Sequence, residues 1–169
     1  ALGGATESIT NITLGTNASA TGYDFGEIGA TTVSGRVYVE ASNPANTTDN
    51  GNANDPGLVT QVAISCTPAY TGMTPMNTAA DGSYTFSNVP AGANCTITET
   101  QPAGYTNAYN TPGTGGTSDS GGTAGSSSNS TITLTVPAAG STGNNFAEQS
   151  ADMVPTFSNI PAAVAPGAS

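Results

Sequence analysis

The chain has 169 residues and a formal net charge of -10 at pH 7, with 11 acidic residues, a single basic residue, Arg36, and no histidine. Nucleic acids and anionic membrane surfaces are bound by clustered Lys and Arg, so this charge balance excludes both as partners. The lack of histidine also excludes Ser-His-Asp and Cys-His catalytic arrangements and zinc sites that use histidine.

The composition is typical of a secreted all-β protein. Thr, Ser, Asn, Gly and Ala dominate, Leu is scarce, and there are 22 Gly and 11 Pro. β-Branched Thr and frequent turn residues favour strands over helices. No apolar run reaches the roughly 18 residues that a membrane-spanning helix needs, so we expect no membrane insertion.

The N-terminal segment is echoed far downstream. Residues 12–14 (Ile-Thr-Leu) and 21–27 (Thr-Gly-Tyr-Asp-Phe-Gly-Glu) match 132–134 (Ile-Thr-Leu) and 142–148 (Thr-Gly-Asn-Asn-Phe-Ala-Glu). The two copies lie about 120 residues apart, which is the size of a small β-domain. We therefore predict three parts.

The first part, 1–30, holds the closing strands of a preceding repeat or a donor strand. The second, 31–149, is a complete β-sandwich repeat, and the third, 150–169, is a linker with the first strand of a following module. Flexible tails at both ends are the alternative. The apolar residues Ile12, Leu14, Tyr23 and Phe25 argue against a plain linker and mark an assembly segment.

Within 31–149, alternation of apolar and polar residues predicts the strands. Gly and Pro predict turns between them, and two polar tracts are expected to be loops. The predicted strands are 33–40, 58–66, 83–87 and 95–99, with the last strands inside 131–147; the turns are 81–82, 90–92 and 102–104; the loops are 41–57 and 106–130.

Two cysteines lie on inward positions of predicted strands. Cys66 follows Ile64, and Cys95 precedes Ile97, in the same alternating phase. In a secreted chain the two form one disulfide, worth roughly 3 kcal/mol through restriction of the unfolded state. Two separate buried thiols are the alternative.

Oxygen-bearing side chains gather in the first predicted loop. Calcium takes six to eight oxygen ligands from carboxylates, amides and carbonyls. An Asn/Asp-rich turn with no metal is the alternative, because these residues tolerate unusual backbone angles. The candidate calcium ligands are Glu40, Asn43, Asp49, Asn52, Asn54 and Asp55.

These stretches together resemble a known family. The segments 34–38 (Ser-Gly-Arg-Val-Tyr), 81–92 and above all 96–105 (Thr-Ile-Thr-Glu-Thr-Gln-Pro-Ala-Gly-Tyr) are similar to the B-type repeat domains of serine-aspartate repeat bacterial surface adhesins. The closing segments 143–148 and 22–27 fit the same pattern. The resemblance implies a prealbumin-like, immunoglobulin-like β-sandwich that occurs in tandem, binds calcium and acts as a rigid stalk.

The sequence predicts a non-enzymatic structural repeat of an extracellular or cell-surface protein. The carboxylates are scattered, and Glu99 is interpreted as a family-pattern or surface residue. The expected partners are identical subunits in a filament, joined head to tail by β-strand addition, or tandem repeats of one chain. A glycan- or host-protein-binding adhesin module is the alternative, and it would need exposed coplanar aromatics from Tyr70, Tyr105 and Tyr109.

Overall fold

The computed structural model describes residues 8–40, 55–118 and 127–151. These residues form nine β-strands and no helix. The predicted all-β class is confirmed. The strands are β1 Ala30–Val39, β2 Gln61–Thr67, β3 Met76–Asn77, β4 Ser83–Pro90, β5 Asn94–Glu99, β6 Tyr105–Thr111, β7 Gly116–Ser118, β8 Ser130–Thr135 and β9 Asn145–Ser150.

The strands form two sheets that enclose one main core, as in a β-sandwich. The four-stranded sheet has the order β4-β1-β9-β6, and the five-stranded sheet has the order β3-β2-β5-β8-β7. β1 and β9 lie side by side in parallel at the centre of the first sheet, with Val37 opposite Phe146. The other strand pairs are antiparallel.

Alternation along the strands builds the core. In β5, Cys95, Ile97 and Glu99 are buried, while the residues between them are only half-buried. Successive side chains of a strand point to opposite faces, so one face of each sheet packs inward. Phe146 of β9 is fully buried among these side chains.

The prediction of a loop at 106–130 is wrong for the first part of that range. β6 and β7 lie there, and β6 pairs with β9 from Tyr105 to Thr111. β6 is rich in Thr and Asn, so its sequence lacks the apolar alternation that marks a strand. Its strand conformation comes from the ladder of hydrogen bonds to β9, a long-range contact.

Two glycines are required by close backbone approach. A Cβ on Gly35 of β1 would lie 1.8 Å from the backbone oxygen of Asn144, and one on Gly82 would lie 1.9 Å from that of Val37. Gly82 also has φ +80, in the left-handed region that favours glycine. The predicted turn 81–82 therefore places the start of β4 directly against β1.

Residues 8–29 contain no strand. They form a turn in which the Ala18 amide donates to the Gly15 carbonyl at 3.0 Å, and the segment meets the sandwich where the Ala91 amide donates to the Gly29 carbonyl at 2.8 Å. The closing or donor strands predicted within 1–30 are thus not formed in the single chain, because a strand needs a partner for its backbone groups; their pairing with another repeat stays a prediction. The predicted strand in 152–169 lies outside the described residues.

Candidate functional site

Two glutamates from different sheets are buried in the sandwich interior. Glu99 closes β5 and Glu148 lies in β9, and both are 0% exposed. Glu99 continues the inward row of Ile97, and Glu148 continues that of Phe146, which is two residues earlier on β9. We call Glu99 and Glu148 the buried carboxyl pair.

Burial and mutual repulsion both act on the proton affinity of this pair. Desolvation, with the nearby charge of Glu148, raises the pKa of Glu99 to about 8. Desolvation raises the pKa of Glu148 to about 7, against the opposing effect of its hydrogen bond from Gln101. Near neutral pH the pair therefore retains a proton, because two buried like charges are costly.

The polar surroundings of the pair are incompletely satisfied. The Gln101 side-chain amide donates to Glu148 Oε2. Among the described residues, no hydrogen-bond partner reaches either carboxyl oxygen of Glu99 or Oε1 of Glu148. The Ser130 backbone amide is near enough to oppose the rise in the pKa of Glu99. This environment favours the neutral carboxyl form.

No basic side chain neutralises the pair. Arg36 is the chain's single basic residue. Its Nε donates to the Asp81 carbonyl at 2.7 Å, its Nη2 donates to the Asp55 carbonyl at 2.7 Å, and its guanidinium carbon lies 5.7 Å from the centre of the Tyr38 ring. Arg36 is therefore engaged elsewhere, and a proton is the neutralising charge that the chain itself can take up.

The predicted calcium ligands are placed only in part. Glu40 is 3% exposed and accepts a 2.7 Å hydrogen bond from the Tyr109 hydroxyl, which also lies 3.3 Å from the hydroxyl of Tyr38. Asp55 is 5% exposed, and its Oδ2 has no partner among the described residues.

The remaining candidates lie outside the described residues, namely Asn43, Asp49, Asn52 and Asn54. Within 8–40, 55–118 and 127–151, no three His, Cys, Asp or Glu side chains gather in a way that could hold a metal ion. Calcium binding at 40–55 stays a prediction.

The expected disulfide is present. Cys66 and Cys95 are directly opposed on β2 and β5, with an S–S distance of 2.07 Å and a Cα–Cα distance of 4.1 Å. Both are buried on the inward face. The bond therefore links two neighbouring strands of the five-stranded sheet inside the core.

The predicted assembly residues differ in burial from their echoes in the sandwich. Ile12 is 46% exposed and Leu14 is 53% exposed, whereas their counterparts Ile132 and Leu134 are 0% and 4% exposed.

Phe25 is 52% exposed, whereas its counterpart Phe146 is 0% exposed. Tyr23 is also exposed, at 46%. Gly22 and its counterpart Gly143 both have positive φ, at 81° and 76°. The N-terminal copy thus repeats the sequence and one backbone turn of β8–β9 but does not bury its apolar side chains.

The aromatic residues considered for ligand binding form no exposed platform. Tyr70 and Tyr109 are buried, and Tyr105 is half-buried at the start of β6. Burial raises the pKa of the Tyr70 hydroxyl. These positions do not provide the stacking surface that the glycan-binding alternative requires.

Glu99 is interpreted from the sequence as a family-pattern or surface residue, and the surface alternative is wrong because Glu99 is fully buried. The signal for burial was present, because Glu99 follows Cys95 and Ile97 in the same alternating phase. No sequence pattern indicated that Glu148 lies near Glu99, since that proximity depends on how the two sheets pack.

The comparisons with known proteins identify one family. A family model described as a domain of unknown function (DUF5979) matches residues 45–139, which is more than half of the chain. No curated protein matches the chain. None of the described residues forms a helix that could cross a lipid bilayer.

Proposed function

The chain belongs to the DUF5979 family, and we propose that it is a non-enzymatic structural repeat of an extracellular protein, carried on a bacterial cell surface or in a fibre. The finer relationship to the B-type adhesin repeats is part of this proposal. A disulfide within the core supports an oxidising, extracellular location, because such bonds are rare in the cytosol.

The observation that carries the proposal is the exposed N-terminal copy of β8–β9. Ile12, Leu14 and Phe25 repeat side chains that are buried in the sandwich, and about half of each is exposed. Exposed apolar groups in this number favour a surface that another molecule covers. A sandwich of the same kind is the partner, since the equivalent side chains pack in this one.

Two arrangements let another sandwich cover the exposed apolar side chains of the N-terminal copy. In a longer chain, residues 8–27 take the places of β8 and β9 in a preceding repeat. In a filament of identical subunits, those places are already filled, so the segment adds to a sheet edge of its neighbour. The long edge strands are β4 and β6, whereas the opposite sheet ends in the short β3 and β7. We favour the filament, with addition at β4 or β6.

The test compares two substitutions at neighbouring positions in the full chain. Leu14→Asp places a charge at the apolar contact, whereas Thr13→Asp makes the same change of charge beside it. Electron microscopy and sedimentation should show filaments for the native chain and for Thr13→Asp but not for Leu14→Asp. A native chain that remains monomeric at high concentration would contradict the filament and leave the tandem arrangement.

A further inference from the structure

The outward face of the five-stranded sheet carries only uncharged polar residues and one alanine. We define the hydroxyl face as the outward side chains of β2, β5, β8 and β7. They are Thr and Ser with one Asn, one Gln and one Ala. The four strands are neighbours in the sheet, so these side chains form one continuous surface.

The hydroxyl groups of this face are aligned across the strands. Ser65, Thr96, Thr133 and Thr117 occupy one row, each opposite the next in register. The hydroxyls of Thr117 and Thr133 are 2.9 Å apart. In the adjacent row, the Thr135 hydroxyl donates to the Asn94 side-chain oxygen at 2.8 Å. Directly opposed side chains on a sheet hold one another in place.

The face has both a ridge and a groove. Ser65 and Thr67 of β2 are exposed, whereas Thr96 and Thr133 are half-buried. A groove of about 340 Å³ follows the second pair and is bordered by Gly115 and the neighbouring threonines. Two copies related by a two-fold axis could each place the β2 ridge in the other's groove, which is the self-complementarity that an isologous contact needs.

The charge of the chain also favours a second copy as the partner at this face. The chain carries a net charge of -10, so two copies repel except where no carboxylate faces the contact. The described charged side chains of the sandwich lie elsewhere: Arg36 is in β1 and Glu40 follows that strand, Asp55 and Asp81 contact Arg36 through their carbonyls, and the buried carboxyl pair is inside. A second copy of the chain can therefore approach this face without desolvating any of the described charges.

The size of the face indicates how the contact operates. Strand spacing of about 4.8 Å and a rise of about 3.3 Å per residue give the face roughly 300 Å². A stable interface buries about 800 Å² on each partner. One such contact is weak, but many contacts along two filaments act together.

From these observations we infer that the hydroxyl face is a lateral contact between two copies of this chain, which joins neighbouring filaments into bundles. This inference rests on the proposed filament. The strand addition uses an edge of the four-stranded sheet, so the hydroxyl face remains available for the lateral contact.

The experiment places a carboxylate on each sheet in turn. Thr96→Glu charges the centre of the hydroxyl face, and Thr32→Glu makes the same change at an exposed position of β1, an inner strand of the opposite sheet. Electron microscopy and light scattering of the full chain should show bundles for the native chain and for Thr32→Glu. Thr96→Glu should form single filaments and lose the bundles. If Thr96→Glu fails to fold, Ser65→Glu at the exposed ridge replaces it.

The outcomes separate the two proposals. Bundles that persist in Thr96→Glu, or that are lost equally in Thr32→Glu, would overturn the lateral contact while leaving the filament intact. If the native chain forms no filaments, the proposed filament fails, and the lateral contact is tested by translational diffusion at millimolar concentration. If the native chain diffuses more slowly than Thr96→Glu, the result supports the contact. If the two chains diffuse at the same rate, the result refutes it.

Discussion

Glu99 and Glu148 come from opposite sheets of the sandwich and are both fully buried, and the charge of Glu148 contributes to the raised pKa of Glu99. Their carboxyl groups have no basic partner, since Arg36 contacts the carbonyls of Asp55 and Asp81. The stability of the fold should therefore depend on whether this pair keeps its proton.

Stability should fall as pH rises from about 5 to 8. Burial raises the pKa of Glu99 to about 8 and that of Glu148 to about 7, so between the unfolded and folded pKa values the folded chain binds more protons. A rise in pH then favours unfolding. We expect a loss of several kcal/mol across this range, measured by urea unfolding at several pH values.

Glu99→Gln should remove most of this pH dependence. The neutral amide replaces the charge that burial disfavours, so the variant should be more stable than the native chain at pH 8. Asp24→Asn, which removes a carboxylate from the exposed N-terminal segment, should leave the slope unchanged. Equal slopes for the native chain and Glu99→Gln would show that the pair does not control the titration.

The disulfide should contribute roughly 3 to 4 kcal/mol to stability, because it closes a loop with a sequence separation of 29. Urea unfolding of the double variant Cys66→Ala with Cys95→Ala should show this loss. Adding a reductant during unfolding should bring the native chain to the same level and leave the variant unaffected. A native chain whose unfolding midpoint is the same with and without reductant is the result that rules this contribution out.

Gly35→Ala should destabilise the sandwich by at least about 2 kcal/mol. The added methyl group would lie 1.8 Å from the Asn144 backbone oxygen and 2.7 Å from the Tyr84 hydroxyl. Gly26→Ala is the matched control, since nothing lies within 4 Å of its Cβ position. Thermal unfolding of the two variants gives the comparison, and equal melting temperatures would mean that β1 shifts freely away from Asn144.

Calcium, predicted for the 40–55 loop, should raise the melting temperature, because a ligand bound only by the folded chain stabilises it. Chelation should reverse the effect. Asp55→Asn should weaken the response, since Asp55 has a buried carboxylate oxygen without a described partner. Asp24→Asn, in the exposed N-terminal segment, should retain it. A melting temperature that chelation leaves unchanged argues against the site.

Local sequence patterns determined much of the sandwich. Alternation placed the strands around Val37, Ile64, Phe86 and Ile97 with their buried faces, because a strand exposes every second residue to one side. The same phase predicted the Cys66–Cys95 bond. Gly82, Gly92 and Gly104 predicted turns, and each of them adopts a positive φ in the structure.

Only the tertiary structure decided the features that depend on distant partners. The polar strand β6 forms because β9 pairs with it, and β9 itself lies parallel to β1, a pairing that no local pattern specifies. Residues 8–27 repeat the sequence of β8 and β9 but form no strand here, because within the described chain no sheet accepts them. Glu99 and Glu148 likewise come close only when the two sheets pack, and desolvation then raises the pKa of Glu99.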